Sequence, residues 1–374
     1  MIRILHTADW QIGLRAQHVA RVGDAVREAR MEAARQCIET ANRERVDAVV
    51  LAGDTFEDNL IDNRLVHGIV EILAASRAPV YVLPGNHDAL SKESVYCRGS
   101  WVNRPENLVL LETSSPVHVP RTNAVLLPAP LFQKKGFTDP TRDLTAVEDG
   151  TITVGVAHGS LRIEGRYSAD DFPIALDAAR RAKLDYLALG HWHGHYVHEG
   201  AMAYSGTHET TKFGESRSGQ ALIVEIATHG ATPVLREFRT GILGWKTLEV
   251  DLTAGVPSAM AQIRSIVSDL PDPRHTLLRL KVRGTSSDDA GPALRGLEDE
   301  LGSRLLHLVI ERADVPDRVV QGRLSEIARS SGLVAGLLDD LGCSDKVSAP
   351  SALTPDKAQA ARRLLGELVQ EVWP

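Results

Sequence analysis

Val46-Asp47-Ala48-Val49-Val50-Leu51-Ala52-Gly53-Asp54 is the stretch that decides the fold. Apart from Asp47 it is an apolar run rich in β-branched residues, which predicts a strand over Val46–Ala52 buried on both faces. The run stops at a glycine and an aspartate. Strand ends are where an α/β protein presents side chains to a ligand, so Asp54 reads as a presented carboxylate. The same arrangement recurs along the chain. Ile2–His6 is followed by Thr7-Ala8-Asp9-Trp10-Gln11, and Pro79–Leu83 by Gly85-Asn86-His87-Asp88. Thr151–Ala157 is followed by His158-Gly159, and Leu184–Leu189 by Gly190-His191-Trp192-His193. A row of Asp, Asn and His at successive strand ends is hard to explain as packing. It is readily explained as a cage for two divalent cations.

Between these strands lie helical patterns over Arg27–Arg45, Asn63–Ser76 and Asp170–Ala182, giving the alternation of an α/β domain across residues 1–244. Val109–Glu112, Val117–Val119 and Ala124–Pro128 read as further strands. Ala201–Ser205, Ala221–Ile226 and Val234–Phe238 read as a closing antiparallel set, and Phe132–Gly150 as a polar surface loop. After Gly244 the pattern changes. Leu278, Leu280 and Val282 alternate with Arg279, Lys281 and Arg283, and Leu306, Leu308 and Ile310 alternate likewise. Each is preceded by a helical stretch, Ser258–Ser268 and Ala293–Leu301, so residues 245–318 predict a small α+β module. From residue 319 the pattern is helical. Thr354-Pro355-Asp356 is a helix start, and Ala358, Ala361, Leu365, Leu368 and Val372 form an apolar stripe after it.

The composition is that of an ordinary globular protein: 374 residues, 43% hydrophobic and 24% charged. No apolar run approaches the length of a membrane span, and Met1–His6 reads as a strand and not as a signal peptide. Three widely spaced cysteines, Cys37, Cys97 and Cys343, argue against a disulfide framework and fit a reducing cytoplasm. The net charge of −7 is not that of a default nucleic-acid binder, so a DNA reading must rest on the site and on local basic patches.

Two cations held about 3.5–4 Å apart can grip both the attacking and the leaving oxygen of a phosphoryl displacement. One ligand must be shared, and the two oxygens of Asp54 suit that role. Asp9 serves one ion and Asn86, through its amide oxygen, the other, with His158, His191 and His193 completing the shells. Mixed nitrogen and oxygen donors without thiolate suit Mn2+, Fe2+ or Zn2+. His87, next to Asn86, is placed to act on the transition state or leaving group, and Asp88 to orient its imidazole. Singly, each feature has a plainer explanation: Gly85-Asn86 as a turn, Asp9 as a cap, His158 as a packed core histidine. Gly190-His191-Trp192-His193 is stronger, because alternate residues of an extended segment point to one side. His6, His67, His195, His198 and His208 read as structural or surface histidines.

Together these motifs resemble the calcineurin-type metallophosphoesterase superfamily. More narrowly, Ile4-Leu5-His6-Thr7-Ala8-Asp9-Trp10, Gly53-Asp54-Thr55-Phe56, Pro84-Gly85-Asn86-His87-Asp88 and Gly190-His191-Trp192-His193 resemble the SbcD nucleases, bacterial relatives of the meiotic recombination eleven nuclease. The resemblance implies an α/β metallophosphoesterase β-sandwich flanked by helices, with a small α+β capping domain and a helical C-terminal tail. Residues 1–244 would be the nuclease, 245–318 would position DNA, and 319–374 would grip the base of a partner coiled coil. It further implies that Asp9, Asp54 and His193 hold the first ion, that Asp54, Asn86, His158 and His191 hold the second, and that His87 acts on the transition state. The expected cofactor is two divalent ions, Mn2+ first, with Mg2+, Fe2+ or Zn2+ as alternatives. The expected partners are DNA, an SbcC-type coiled-coil ABC ATPase and a second copy of the chain, with no membrane. Two departures from the family pattern stand out. Gln11 replaces the usual histidine of the first motif and offers only a neutral oxygen, a weaker metal donor than imidazole. Glu57 stands where histidine or aspartate is common. The alternatives are a stand-alone phosphodiesterase or phosphatase for nucleotides or phosphoproteins, and a weakly active scaffold subunit in which Gln11 has compromised the first ion.

Overall fold

In a computed structural model the chain is described over residues 1–312, apart from 148–149 and 285–289, with a few isolated positions beyond 312. It separates into two compact units, Met1–Trp245 and a second beginning at Lys246. Apart from Ala361, the apolar stripe expected over residues 358–372, and nearly all of the tail expected from 319, lie outside the described residues.

The first unit runs β1 (Ile2–Thr7), α1 (Gly23–Glu44), β2 (Ala48–Ala52), α2 (Asn63–Ala74), β3 (Val80–Leu83), α3 (Gly99–Val102), β4 (Leu108–Leu110), β5 (Val117–His118), β6 (Ala124–Ala129) and β7 (Ile152–His158). It continues through α4 (Ala178–Arg181), β8 (Tyr186–Gly190), β9 (Tyr196–His198), β10 (Met202–Tyr204), β11 (Gln220–Ile226) and β12 (Val234–Arg239). These strands form two six-stranded sheets, in the orders β12-β11-β1-β2-β3-β4 and β5-β6-β7-β8-β10-β9. Strands β1 to β4 are mutually parallel, as are β6, β7, β8 and β10. All the strands that lead into the candidate site therefore end in the same sense within their sheets.

The side-chain alternation explains why the sheets stack. On β2, Ala48, Val50 and Ala52 face the other sheet, while Val49 and Leu51 meet α1 and α2. On β7 and β8, Val154, Val156, Tyr186 and Ala188 face the first sheet, while Ala157, Leu187 and Leu189 pack outward with Ala178 and Ala179 of α4. Both faces of each central strand are thus buried, which is why these strands lack polar alternation. Each such Val, Leu or Ile contributes roughly 1.5–3 kcal/mol through burial. The result is a β-sandwich with helices on its outer faces. Among the described residues no helix is long and apolar enough to cross a membrane.

Two local expectations are corrected. The helix expected over Asp170–Ala182 shrinks to Ala178–Arg181. Pro173 disfavours helical backbone at the residue before it, and Phe172 takes φ +50°. The segment instead makes single bridges, Asp171 to Gly136 and Ile174 to Leu161. The expected closing antiparallel set is divided between the sheets: β11 and β12 extend the first beside β1, whereas β10 pairs with β8 and β9 in the second.

A buried histidine links the two sheets through the apolar interior. His6 donates from Nε2 to the Leu189 carbonyl at 3.2 Å and accepts at Nδ1 from the Tyr186 hydroxyl at 2.8 Å. Burial drives the His6 imidazole down to about 3, so it is neutral and this tautomer satisfies both nitrogens.

β13 (Gly244–Asp251) spans the boundary, and the second unit continues with α5 (Val256–Ser268), β14 (Thr276–Arg283), α6 (Ala290–Gly302) and β15 (His307–Arg312), in the sheet order β13-β14-β15. Leu278, Leu280 and Val282 pack against Ile263 and Val267 of α5 and Leu294, Leu297 and Leu301 of α6. The basic residues on the other face of β14 are flanked by carboxylates. Arg279 lies 3.1 Å from Glu311, Arg283 3.5 Å and Lys281 4.0 Å from Glu249.

Tyr186→Phe should leave the buried His6 Nδ1 without a donor. Urea unfolding is expected to register a loss of about 1–3 kcal/mol, the cost of an orphaned buried acceptor. An unchanged midpoint would show that the link carries no stability.

Candidate metal centre

The ends of β1, β2, β3, β7 and β8 converge on one pocket of polar atoms. The loops are first stitched to each other through their backbones: Asp9 N–H donates to the Gly53 carbonyl at 3.1 Å, and Gln11 N–H to that of Asp54 at 2.9 Å. Asp9, Gln11 and Asp54 take φ +55°, +39° and +53°, and His191 takes φ +114°. Such backbone costs of order 1–3 kcal/mol per residue and survives only where the surroundings enforce it. Here it aims the His191 N–H at the Asp9 carboxylate, 3.0 Å from each oxygen. Two glycines are required by close approach. A Cβ on Gly85 would lie 2.2 Å from Asp54 Oδ1, and one on Gly190 would lie 1.9 Å from the Ala52 carbonyl.

Around Asn86 Oδ1 the side chains close in. His158 Nε2 is 2.9 Å and His191 Nδ1 3.0 Å from it, and His158 Nε2 is also 3.3 Å from Asp54 Oδ2. One ligand atom each from Asp9, Asp54 and His158 lies within 4.8 Å of the others, and all three residues are buried. The other nitrogens of the two imidazoles face obligate acceptors: His158 Nδ1 the Ala52 carbonyl at 2.8 Å, and His191 Nε2 Asp171 Oδ2 at 2.9 Å. A neutral imidazole has one N–H. With those protons directed outward, the inward nitrogens face oxygen acceptors lone pair to lone pair. The arrangement demands positive charge at its centre, either extra protons or cations.

The electrostatics say the same. Burial pushes the Asp9 carboxyl up, against the pull of His158 and His193. Burial resists ionisation of Asp54 too, but His158 and the His87 N–H hold it below the usual carboxylate range. Burial would lower His158, but Asp54, Asp9 and the Ala52 carbonyl outweigh it and raise the imidazole to about 9. A protonated His158 stands in for a cation. The donor set of carboxylates, an amide oxygen and imidazoles fits divalent ions of the hard to borderline kind, whose binding would displace that proton.

The other expected residues are placed as follows. Gln11 is buried on the loop beside Asp54. His193 donates from Nδ1 to Glu215 Oε1 at 2.7 Å and feels the charge of Asp9. His87 is more exposed, its N–H donating to Asp54 Oδ1 at 2.9 Å and its Nδ1 lying 2.8 Å from the Glu57 carbonyl. The orienting role expected of Asp88 is corrected. Its Oδ1 accepts from Gly85 N–H at 2.7 Å, and its Oδ2 from Phe56 N–H at 3.1 Å and the Tyr96 hydroxyl at 2.6 Å. Asp88 thus braces the loop from inside, and the Glu57 carbonyl orients His87. Burial, aided by the charge of Asp54, raises Asp88 to about 6.

Three contributors went unread in the sequence. Asp171 and Glu215 anchor His191 and His193. Arg30 is fully buried beneath the first loop, where it donates to the carbonyls of Asp9, Trp10 and Glu209. Arg30 did carry a signal, since an arginine among Val26, Ala29, Ala33 and Cys37 lies on the buried stripe of its helix. The Phe172-Pro173 step, which frees Asp171 from a helix, was another.

Gly85→Ala should displace the Asp54 carboxylate and weaken divalent-ion binding while leaving far-UV circular dichroism intact. Unchanged ion binding would mean that the close approach is not needed. A pH dependence also follows. His158 is raised from 6.5 to about 9 on folding, so its stabilisation is complete below about pH 6.5 and is lost as pH rises through 9. With chelator present, melting should fall across that window, on the order of 3 kcal/mol; saturating divalent ion should abolish the fall. A flat profile in chelator would contradict the assignment.

The chain is 26% identical over 296 residues to the uncharacterized metallophosphoesterase YhaO of Bacillus subtilis (strain 168), covering 74% of this chain and 69% of that protein. Among solved structures it is similar to TT1561 of Thermus thermophilus, at 12% identity and a TM-score of 0.40, covering 64% of this chain and 99% of the other. The family model for calcineurin-like phosphoesterases matches residues 2–195, the span holding every strand end of the polar pocket. The chain therefore belongs to the calcineurin-like phosphoesterases, hydrolases that act on phosphoester bonds with divalent metal ions.

Proposed function

We propose that this phosphoesterase is a DNA end-processing nuclease of the SbcD kind, cleaving phosphodiesters with two Mn2+ ions alongside an SbcC-type coiled-coil ABC ATPase, as a cytoplasmic homodimer. The observation that carries the two-ion chemistry is the gathering of His158 and His191 on Asn86 Oδ1 beside Asp54. In this reading Asp9, Asp54 and His193, with Gln11 as a weak fourth donor, hold one cation. Asp54, Asn86, His158 and His191 hold the other. Bound there, the pair supplies Lewis acidity to the attacking and leaving oxygens. His87, anchored through Nδ1 to the Glu57 carbonyl, keeps Nε2 free to act on the transition state or the leaving oxygen. The DNA substrate and the ATPase partner are supported by the motif set and by the presence of a second folded unit after residue 245.

One observation favours a second reading, a phosphodiesterase for small substrates. The basic stripe of β14, the expected phosphate contact, is flanked by Glu249 and Glu311, which offset its charge.

The purified chain, alone or with its ATPase, should degrade linear DNA when Mn2+ is added. His87→Ala should retain its metal yet lose turnover on the order of 10²–10⁴-fold. Brisk hydrolysis of bis(p-nitrophenyl) phosphate with every form of DNA left intact would overturn the nuclease reading in favour of the second.

A further inference from the structure

His191 and His193 stand two residues apart on the bend that follows β8, with His191 at φ +114°. The structure holds them differently. His191 has Nε2 on Asp171 Oδ2 at 2.9 Å, with Nδ1 turned inward to Asn86 Oδ1 at 3.0 Å. His193 has Nδ1 on Glu215 Oε1 at 2.7 Å, which leaves Nε2, on the far side of the ring, for a ligand. A carboxylate accepts and does not donate, so each fixes the N–H at the nitrogen it touches and the lone pair at the opposite one.

Both carboxylates are themselves held. Asp171 Oδ2 accepts from the Ser160 hydroxyl at 3.2 Å, and that hydroxyl accepts from Trp192 Nε1 at 3.1 Å. Glu215 accepts from the Thr211 hydroxyl at 2.5 Å and from the Thr211 N–H at 2.7 Å. Asp171 comes from the Pro173-broken loop of the second sheet's side, and Glu215 from the turn before β11. Neither anchor depends on the other.

We infer that Asp171 and Glu215 are positioning residues that lock His191 and His193 in opposite tautomers, Nδ1 inward for one and Nε2 inward for the other, and so divide the two histidines between two cations. This rests on the two-cation reading above and assigns each cation its own outer carboxylate. Asp171 governs the ion shared by Asn86, His158 and His191. Glu215 governs the ion on the Asp9 and His193 side. There a strong imidazole donor matters more, because Gln11 supplies only an amide.

The test uses the full chain carrying Asp171→Ala, Asp171→Asn, Glu215→Ala or Glu215→Gln, with Mn2+ as the probe. Equilibrium binding and electron paramagnetic resonance are the readouts, and melting in chelator reports the fold. Wild type is expected to bind two Mn2+ and show a spin-coupled pair. Each alanine variant should weaken one ion about 10–100-fold, leave the other unchanged and yield the six-line signal of an isolated Mn2+. The amide variants still accept the N–H and should recover part of the loss. Carboxylates that merely brace loops would lower melting in chelator without separating the two affinities, and that outcome overturns the inference. So does a result in which both alanine variants deplete the same ion, or neither. A wild type that fails to bind two Mn2+ overturns the two-cation reading itself and the inference with it, and is told apart by needing no variant.

Discussion

The structure turns on an excess of lone pairs in a buried space. His158 Nε2 and His191 Nδ1 each lie within 3.0 Å of Asn86 Oδ1, and His158 Nε2 lies 3.3 Å from Asp54 Oδ2, while the outward nitrogens are already committed to Ala52 and Asp171. Acceptors crowd one another away from water only when positive charge lies among them. Nearly every unusual feature nearby serves that crowding. The glycines at 85 and 190 admit backbone where a methyl group would collide. The left-handed backbone at Asp9 and Asp54 turns each carboxylate inward from the end of a parallel strand. Arg30 ties down the carbonyls behind them.

A site of this kind sets stability against function. Without a cation, His158 must keep a proton that a solvent-exposed imidazole would give up near neutrality. The protein holds its cage ready at the expense of backbone strain, offset by the apolar layer between the sheets and the two outer cores. The cage is consequently coupled to the sandwich as a whole. Its donors come from both sheets, and His6 with Tyr186 joins the sheets just behind them.

The apolar runs at β1, β2, β3, β7 and β8 were legible in the sequence because strands buried on both faces carry no polar alternation. The residues following them were legible because Asp, Asn and His there have no packing purpose. What the sequence hid were side chains whose roles depend on long-range meetings. Asp88 looked like the partner of its neighbour His87, but side chains adjacent in a turn diverge, and Asp88 caps the loop from within. Asp171 was concealed inside an apparent helix that Pro173 forbids. Glu215 sits in a polar turn with nothing local to single it out, and only the fold brings it to His193. The β10, β11 and β12 strands were visible as strands, but their division between two sheets depends on pairing partners far away in the chain.

The most direct measurement is diffraction from crystals grown with Mn2+, recorded at the manganese absorption edge. Two anomalous peaks about 3.5–4 Å apart are expected, with Asp54 between them, Asn86, His158 and His191 around one, and Asp9 and His193 around the other. No peak at this cluster, or a single ion remote from Asp54, would contradict the account.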